Sequence, residues 1–480
     1  MQYILSIDQS TSGTKALLLD REGELVGRAD LPHAQKVNGK GWVSHDPVEI
    51  YRNTLLAAGK LLDATGVDPA GIEAIGISNQ RETALVWDRD TGLPVADAVV
   101  WQCGRAQDIC ARLAGRGEEI SRKTGLRLSP YFPAAKWAWL LENTPDLQGR
   151  RLCAGTIDSW LLYKLTGQFK TDYSNASRTQ LFDIHRLCWD QGLCGAFGVD
   201  RGLLPAVCMS DSRFGDTDLE GLLPRPVPVH GVLGDSHGAL FGQGCVKPGM
   251  GKATYGTGSS VMVHVGEAPV HSGRGIVTSL AWGMGGKVQY VLEGNINYAG
   301  AVTTWVAEGL GLLASPKEAG RVAAQADPED GTYLVPAFTG LGAPYWQPAA
   351  RGMFWGMGRG TGRAELVKAA EECIGYQIAD VVEAMREEGI PLTELRADGG
   401  PTRDGYLMQF QADILGLPVA VPEREELSGM GAGYCAGIAC GLYRPEVLER
   451  AGRHSYRPQK GSGWMEKHYG GWKKAVGMLV

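Results

Sequence analysis

No Cys-x-x-Cys pair occurs in this chain of 480 residues, although ten cysteines are scattered from Cys103 to Cys440. Zinc ribbons and thioredoxin-type motifs therefore lack their characteristic spacing. Unpaired cysteines in so long a chain read as reduced, buried thiols of a cytoplasmic protein. Positive charge is not in excess: 47 Lys and Arg stand against 53 Asp and Glu, a net charge of −6. That argues against nucleic acid as the main partner, because a phosphate backbone wants a basic footprint. No apolar run approaches the roughly 18 residues that span a bilayer, so no membrane partner is expected. The opening Met1-Gln2-Tyr3-Ile4-Leu5-Ser6-Ile7-Asp8 has no basic region and no long apolar stretch, so no secretory signal is expected. A Walker-type loop is absent too: the Gly-Lys pairs are followed by Gly41, Leu61, Ala253 and Val288, never by Ser or Thr.

What is present is an ordinary folding composition, 44% hydrophobic and 21% charged. The length suggests roughly two to four domains. Glycine is abundant at 68 residues, about twice the usual share of roughly 7%. Tyr3 to Ile7 reads as a buried strand ending at Asp8. A polar turn follows, then strands from Thr14 to Leu19 and from Glu24 onward. Helical spacing runs from Pro47 to about Asp63, and strands follow at Ala74 to Ser78 and Ala84 to Asp88. The theme returns later: Gly251 to Tyr255, a Gly256-Thr257-Gly258-Ser259 turn, Ser260 to Val265, and strands at Val277 to Trp282 and Val288 to Leu292. Long helices are expected at Ala364 to Glu388 and Gly405 to Leu415. The pattern predicts two similar α/β domains, residues 1–245 and 246–480. One mixed α/β enzyme with two ordinary hairpins is the plainer alternative.

Four segments carry candidate chemistry. Asp8-Gln9-Ser10-Thr11-Ser12-Gly13-Thr14-Lys15 ends a strand in a carboxylate and turns on small hydroxyl residues. Such a turn can aim N–H and hydroxyl groups at phosphate, and the carboxylate can hold Mg²⁺. A plain polar hairpin fits it as well. Gly256 to Ser259 offers a second cradle. Asp235 in Gly234-Asp235-Ser236-His237-Gly238 follows an apolar stretch and could take a proton from a hydroxyl nucleophile, or simply cap a helix. His237 reads as structural. Arg81 and Glu82 in Asn79-Gln80-Arg81-Glu82-Thr83 could grip vicinal hydroxyls, or form a surface ion pair. Trp101 and Tyr131 could wall a polyol pocket, or lie in the core. Gly429-Met430-Gly431-Ala432-Gly433 spells a dinucleotide loop but sits too late in the chain, so close helix packing is the better account.

These segments, in this order, resemble the FGGY carbohydrate kinases, and the glycerol kinase branch most closely. Tyr131 to Leu140 fits the family's first signature. Gly352 to Glu372 fits the second, except that Glu371 stands where an apolar residue is expected. Gly41 to Pro47, Ile77 to Thr83, Tyr255 to Ser259, Asp398 to Pro401 and Trp472 to Val476 resemble further family segments. The resemblance implies two actin-like, ribonuclease-H-like ATPase domains with catalysis in the cleft between them. It implies ATP and Mg²⁺ as cofactors, a small polyol or sugar as acceptor, and a homodimer or homotetramer as assembly. By position it makes Asp235 the general base and places Asp8 and Asp235 beside the metal. Thr11, Ser12, Lys15, Thr257, Gly258, Gly300, Thr304, Gly400 and Asp404 would surround the nucleotide. Arg81, Glu82, Trp101, Tyr131, Asp235, Ser236 and Ser260 would line the acceptor site.

Four positions depart from the branch's pattern. Ser236 replaces a usual Gln, Ser260 a usual aromatic residue, Cys103 a usual acid, and Asp404 a usual Asn. Two large side chains become small hydroxyls, which predicts a longer, more polar acceptor of four or five carbons. Glycerol itself, a pentulose, or a non-kinase ATPase switch of the same fold remain the alternatives. The Asn79 to Thr83 segment speaks against the pentulose.

Overall fold

The computed structural model describes residues 1–450 and 452–480. Its first half is built on a six-stranded sheet. Tyr3–Gln9, Gly13–Leu19 and Leu25–Pro32 form an antiparallel meander, and Ile72–Asn79 and Val227–Gly234 add parallel to its inner edge. The second half repeats this plan. Met250–Tyr255, Ser259–Gly266 and Lys287–Ile296 run antiparallel, and Glu394–Asp398 and Val419–Pro422 add in parallel. This is an α/β fold of two actin-like units. The strands expected from the apolar runs all form, and Ala84–Asp88 and Gly405–Leu415 match their expected bounds.

Period-two alternation explains the layering. Leu5, Ile7, Ala16 and Leu18 face one way, onto Ile50 and Leu61 of the helix Pro47–Thr65. That helix starts where Asp46 accepts from the Val48 and Glu49 amides, and it ends on left-handed Gly66. Ile4, Leu17, Leu19 and Ala74 face the other way, onto Met430, Tyr434 and Ala436. Those residues belong to the helix Leu427–Ala439, which comes from the far end of the chain yet covers the first sheet. The same core takes in Leu240 and Phe241 of the helix Asp235–Gly242, and Met262 and Val291 of the second sheet. It is therefore shared by both halves. On its outer face the second sheet buries Ala253, Val261, Val263 and Leu292 against Ile374, Ile378 and Val381 of the helix Arg363–Glu387.

Glycine makes the shared core possible. A Cβ on Gly431 would stand 1.9 Å from the Gly238 carbonyl oxygen, and one on Gly242 would stand 2.4 Å from that of Leu427. The late glycine run is a helix-packing device, as its position in the chain suggested. No helix among the described residues is long and apolar enough to cross a membrane.

Candidate active site

The parallel strands of each half end at the cleft, where α/β sheets usually place their ligands. The first strand runs one residue past Asp8 to Gln9; Asp8 pairs with Ser78, and Gly234 pairs with Asn79 one strand over. Asp235 follows as the first residue of its helix, so Gly234 rather than Asp235 is the cap. Asp8 is 6% exposed and its Oδ1 meets no hydrogen-bond partner. Burial pushes its carboxyl up to about 6, although Lys15 opposes this. An orphaned carboxylate oxygen at the mouth of a phosphate turn fits a hard cation.

Both turns are tight. Ser10 donates its amide to the Gly13 carbonyl at 2.9 Å, and a Cβ on Gly13 would meet the Leu31 carbonyl oxygen at 2.6 Å. Ser12 is exposed, and Thr11 is half-buried and accepts from Trp101 Nε1 at 2.9 Å. Lys15 Nζ is held by Glu426 Oε2 at 2.6 Å, just before the long-range helix. In the second turn Gly256 donates to the Gly258 carbonyl at 2.8 Å, and a Cβ on Gly258 would meet the Ile296 carbonyl oxygen at 2.4 Å. Gly300 donates back to the Gly256 carbonyl at 2.9 Å, which joins the turn to the helix Gly300–Glu308.

A cavity of about 980 Å³ opens beyond this second turn. Thr257, Gly300, Thr304, Gly400, Asp404 and Glu371 are among its lining residues. Gly258 belongs to the turn but not to the lining. Thr304 donates its hydroxyl to the Gly300 carbonyl at 3.2 Å. Both Asp404 oxygens are committed: they accept from the Tyr406 amide at 2.9 Å and the Gly320 amide at 2.8 Å. Asp404 caps the helix Gly405–Leu415 and joins it to the opposite wall. Gly399 has φ 99°, and a Cβ there would stand 1.9 Å from the Tyr255 carbonyl oxygen, so the Asp398-Gly399-Gly400 loop can lie against the second turn.

Arg81 and Glu82 are buried, not a surface pair. Glu82 Oε1 lies 3.5 Å from Arg81 Nε and accepts from Arg178 Nε at 2.8 Å. Glu293 receives both guanidiniums: Arg81 reaches it at 3.0 and 3.1 Å, and Arg178 at 2.8 Å. Burial opposes Glu293 ionisation, but Arg178 and Arg81 outweigh it and hold the carboxyl well below the usual range. Arg81 Nε stands 3.2 Å from Asp235 Oδ1, makes no hydrogen bond and is shut off from solvent, so it acts on Asp235 as a buried positive charge. Asp235 is the open member, with a side chain 37% exposed. Burial raises its pKa against the pull of Arg81, and the Glu82 charge adds to the rise. Ser236 and Ser260 are both half-buried, and Ser260 Oγ lies 3.3 Å from Glu293 Oε1. Trp101 and Tyr131 sit with ring centroids 5.6 Å apart. Cys103 lies in the core and accepts from the Val43 amide and Arg105. His237 is buried, with Nε2 3.3 Å from Ser279 Oγ, in keeping with a structural part.

Sequence reasoning missed Glu293 and Arg178. The one available signal was a lone acid inside an apolar strand, Val291-Leu292-Glu293-Gly294. No cluster of three or more His, Cys, Asp or Glu side chains suited to a metal occurs among the described residues.

Two parallel-extended actin-like halves, paired tight turns and a buried Arg–Glu cluster beside an open carboxylate together define a class. Residues 3–242 match the N-terminal domain of the FGGY family of carbohydrate kinases, and residues 251–440 match its C-terminal domain. The chain belongs to that family and is a phosphotransferase with an alcohol group as acceptor. Among curated relatives, glycerol kinase 1 of Thermotoga maritima is 45% identical, covering 100% of this chain and 99% of that protein. Glycerol kinase of Stenotrophomonas maltophilia is 44% identical over 99% of this chain and 98% of its own. The crystal structure of Plasmodium falciparum glycerol kinase with ADP superposes with a TM-score of 0.94 at 33% identity, covering 100% of this chain and 98% of that one. The ligand-bound xylulose kinase of Lactobacillus acidophilus shares the fold at a TM-score of 0.90 and 21% identity, over 99% of each chain.

Proposed function

We propose that this chain transfers the γ-phosphoryl of MgATP to a terminal hydroxyl of a linear polyol or ketose of four or five carbons. A glycerol-like end of the acceptor rests against Arg81, Glu82, Trp101, Tyr131 and Asp235, and the rest of it runs over Ser236 and Ser260. The observation that carries the longer acceptor is that both serines stay half-buried, Ser260 against Glu293 and Ser236 next to Asp235. Glycerol is the second reading, favoured by the full-length similarity to glycerol kinases.

The unpartnered Asp8 oxygen fits the metal side, with Asp235 at the same end of the same sheet two strands over. Thr11, Ser12, Lys15 and Thr257 lie along the phosphates. Gly258, Gly300, Thr304, Gly400 and the Asp404 cap shape the nucleoside side. When bound, MgATP supplies the transferable phosphoryl group and the charge that offsets it. The Arg81 guanidinium holds the Asp235 carboxylate in place at 3.2 Å, and an Asp235 oxygen takes the proton of the attacking hydroxyl late, as a loose transition state requires. Closure of the two halves on their shared core would exclude water. Division at residue 245, a cytoplasmic setting and a homodimer or homotetramer remain part of this reading; the ten free cysteines support the setting.

The test is ADP release across glycerol, erythritol, threitol, erythrulose, xylitol, ribulose and xylulose at equal concentration. Strong preference for one four- or five-carbon compound is expected. A preference for glycerol would make the two serines neutral replacements. Equal release with every acceptor and with none would remove the kinase mechanism.

A further inference from the structure

Glu371 is 2% exposed, lies on the helix Arg363–Glu387, and lines the large cavity. Its Oε2 has no hydrogen-bond partner. Its helix neighbours Ala369, Ala370, Cys373 and Ile374 are all buried and apolar or small. The other acids nearby are spent: Glu372 accepts from Tyr406 OH at 2.7 Å, and Asp404 holds two backbone amides. Of the cations at the rim, Arg321 pairs with Glu318 at 3.1 Å and Arg403 with Glu425, while Lys317 forms no ion pair among the described residues. A buried polar group without a partner is costly, so a ligand that fills the cavity is the natural partner.

We propose that Glu371 hydrogen-bonds the edge of the purine base and is a specificity-determining residue of the nucleotide site. The proposal rests on the nucleotide reading of the cavity given above. The second turn and Gly300 mark one end of the cavity. Glu371 lies close to Asp404, whose carboxylate holds the Gly320 amide of the opposite wall, and a base following its phosphates into the cavity would meet this wall. Burial, with the Asp404 charge adding, pushes the Glu371 carboxyl up to about 8. At neutral pH it therefore presents an O–H donor and a carbonyl acceptor side by side. Adenine offers the complementary pair, an amino N–H beside a ring nitrogen.

Calorimetric binding of ADP and of pyrophosphate to the full chain tests this. Glu371→Leu should weaken ADP by about tenfold, the value of one buried hydrogen bond. Pyrophosphate affinity should not change. Glu371→Gln, which keeps a neutral donor and acceptor, should bind ADP within about threefold of the parent. The Leu variant should also melt higher without ligand, because it removes a buried unpartnered acid. Unchanged ADP affinity in Glu371→Leu would overturn the proposal. An equal loss for ADP and pyrophosphate would overturn it too, since the base would then not be what is read. A parent chain that binds ADP no better than pyrophosphate would remove the nucleotide reading itself.

Discussion

At the acceptor end of the cleft, Arg81 and Arg178 face Glu82 and Glu293, and each buried charge finds its opposite inside the protein. At the metal and nucleotide end, Asp8 Oδ1 and Glu371 Oε2 are buried with no partner at all. The first cluster balances its charges before any ligand arrives, although Arg81 Nε and Arg178 Nη1 make no hydrogen bond. The second is paid for in stability until a ligand supplies the missing donors or cation. On the proposed reading, the difference separates a charge-balanced grip for the acceptor from a site whose binding energy comes partly from giving partners to buried polar atoms.

Asp235 should sharpen that contrast most, because it is the open acid in a balanced cluster. Asp235→Asn should lower turnover by about a thousandfold. Its ADP affinity and melting temperature should stay near those of the parent. Coupled rate assays and calorimetry check this, and near-normal turnover would take the general-base role away from Asp235.

Breaking the balance itself should cost stability. Glu293→Gln leaves two buried guanidiniums short of a carboxylate, a loss of about 3–5 kcal/mol. Urea unfolding measures it. A loss under about 1 kcal/mol would mean the acceptor cluster is not balanced from within.

Asp8 should behave in the opposite way. Its folded pKa of about 6 lies above its ordinary 3.8. An acid raised in the folded state is stabilising below about pH 4, and that contribution is lost as pH rises through 6. The change is up to about 3 kcal/mol, from two pKa units at 1.36 kcal/mol each. Asp8→Asn should flatten this part of the stability profile. An unchanged slope in that variant would show that Asp8 is not the titrating group.

The smallest expected effect is positional. A Cβ on Gly234 would stand 2.4 Å from Arg81 Cγ. Gly234→Ala should therefore displace Arg81 and raise the acceptor KM by about tenfold, with kcat changed less. Steady-state kinetics with the preferred acceptor would show it.

Local features of the site were legible because short-range chemistry sets them. The Asp8 hairpin and the Gly256 turn follow from apolar runs broken by small residues. The Asp398-Gly399-Gly400 step follows from a φ that disfavours a Cβ. Partners far apart in the chain were not legible. Arg81 meets Glu293 across 212 positions, and Lys15 meets Glu426 across 411. No local pattern encodes such pairs. Asp404 shows a different limit. Resemblance put it beside the nucleotide, and it does line that cavity, but its oxygens are taken by backbone amides. An Asp before Gly405-Tyr406 is also a helix-cap pattern, and the cap is what its carboxylate serves.

The helix Leu427–Ala439 closes over Ile4, Leu17, Leu19 and Ala74. Ser6 Oγ donates to the Gly429 carbonyl across 423 positions. During synthesis the first sheet is finished long before its cover exists. At roughly 5–20 residues per second, one face of that sheet waits about 10–40 s on the ribosome for the segment that buries it. A nascent chain halted before residue 427 carries a bare hydrophobic face, so its yield in the cell should depend on holdase chaperones more than its finished stability would suggest.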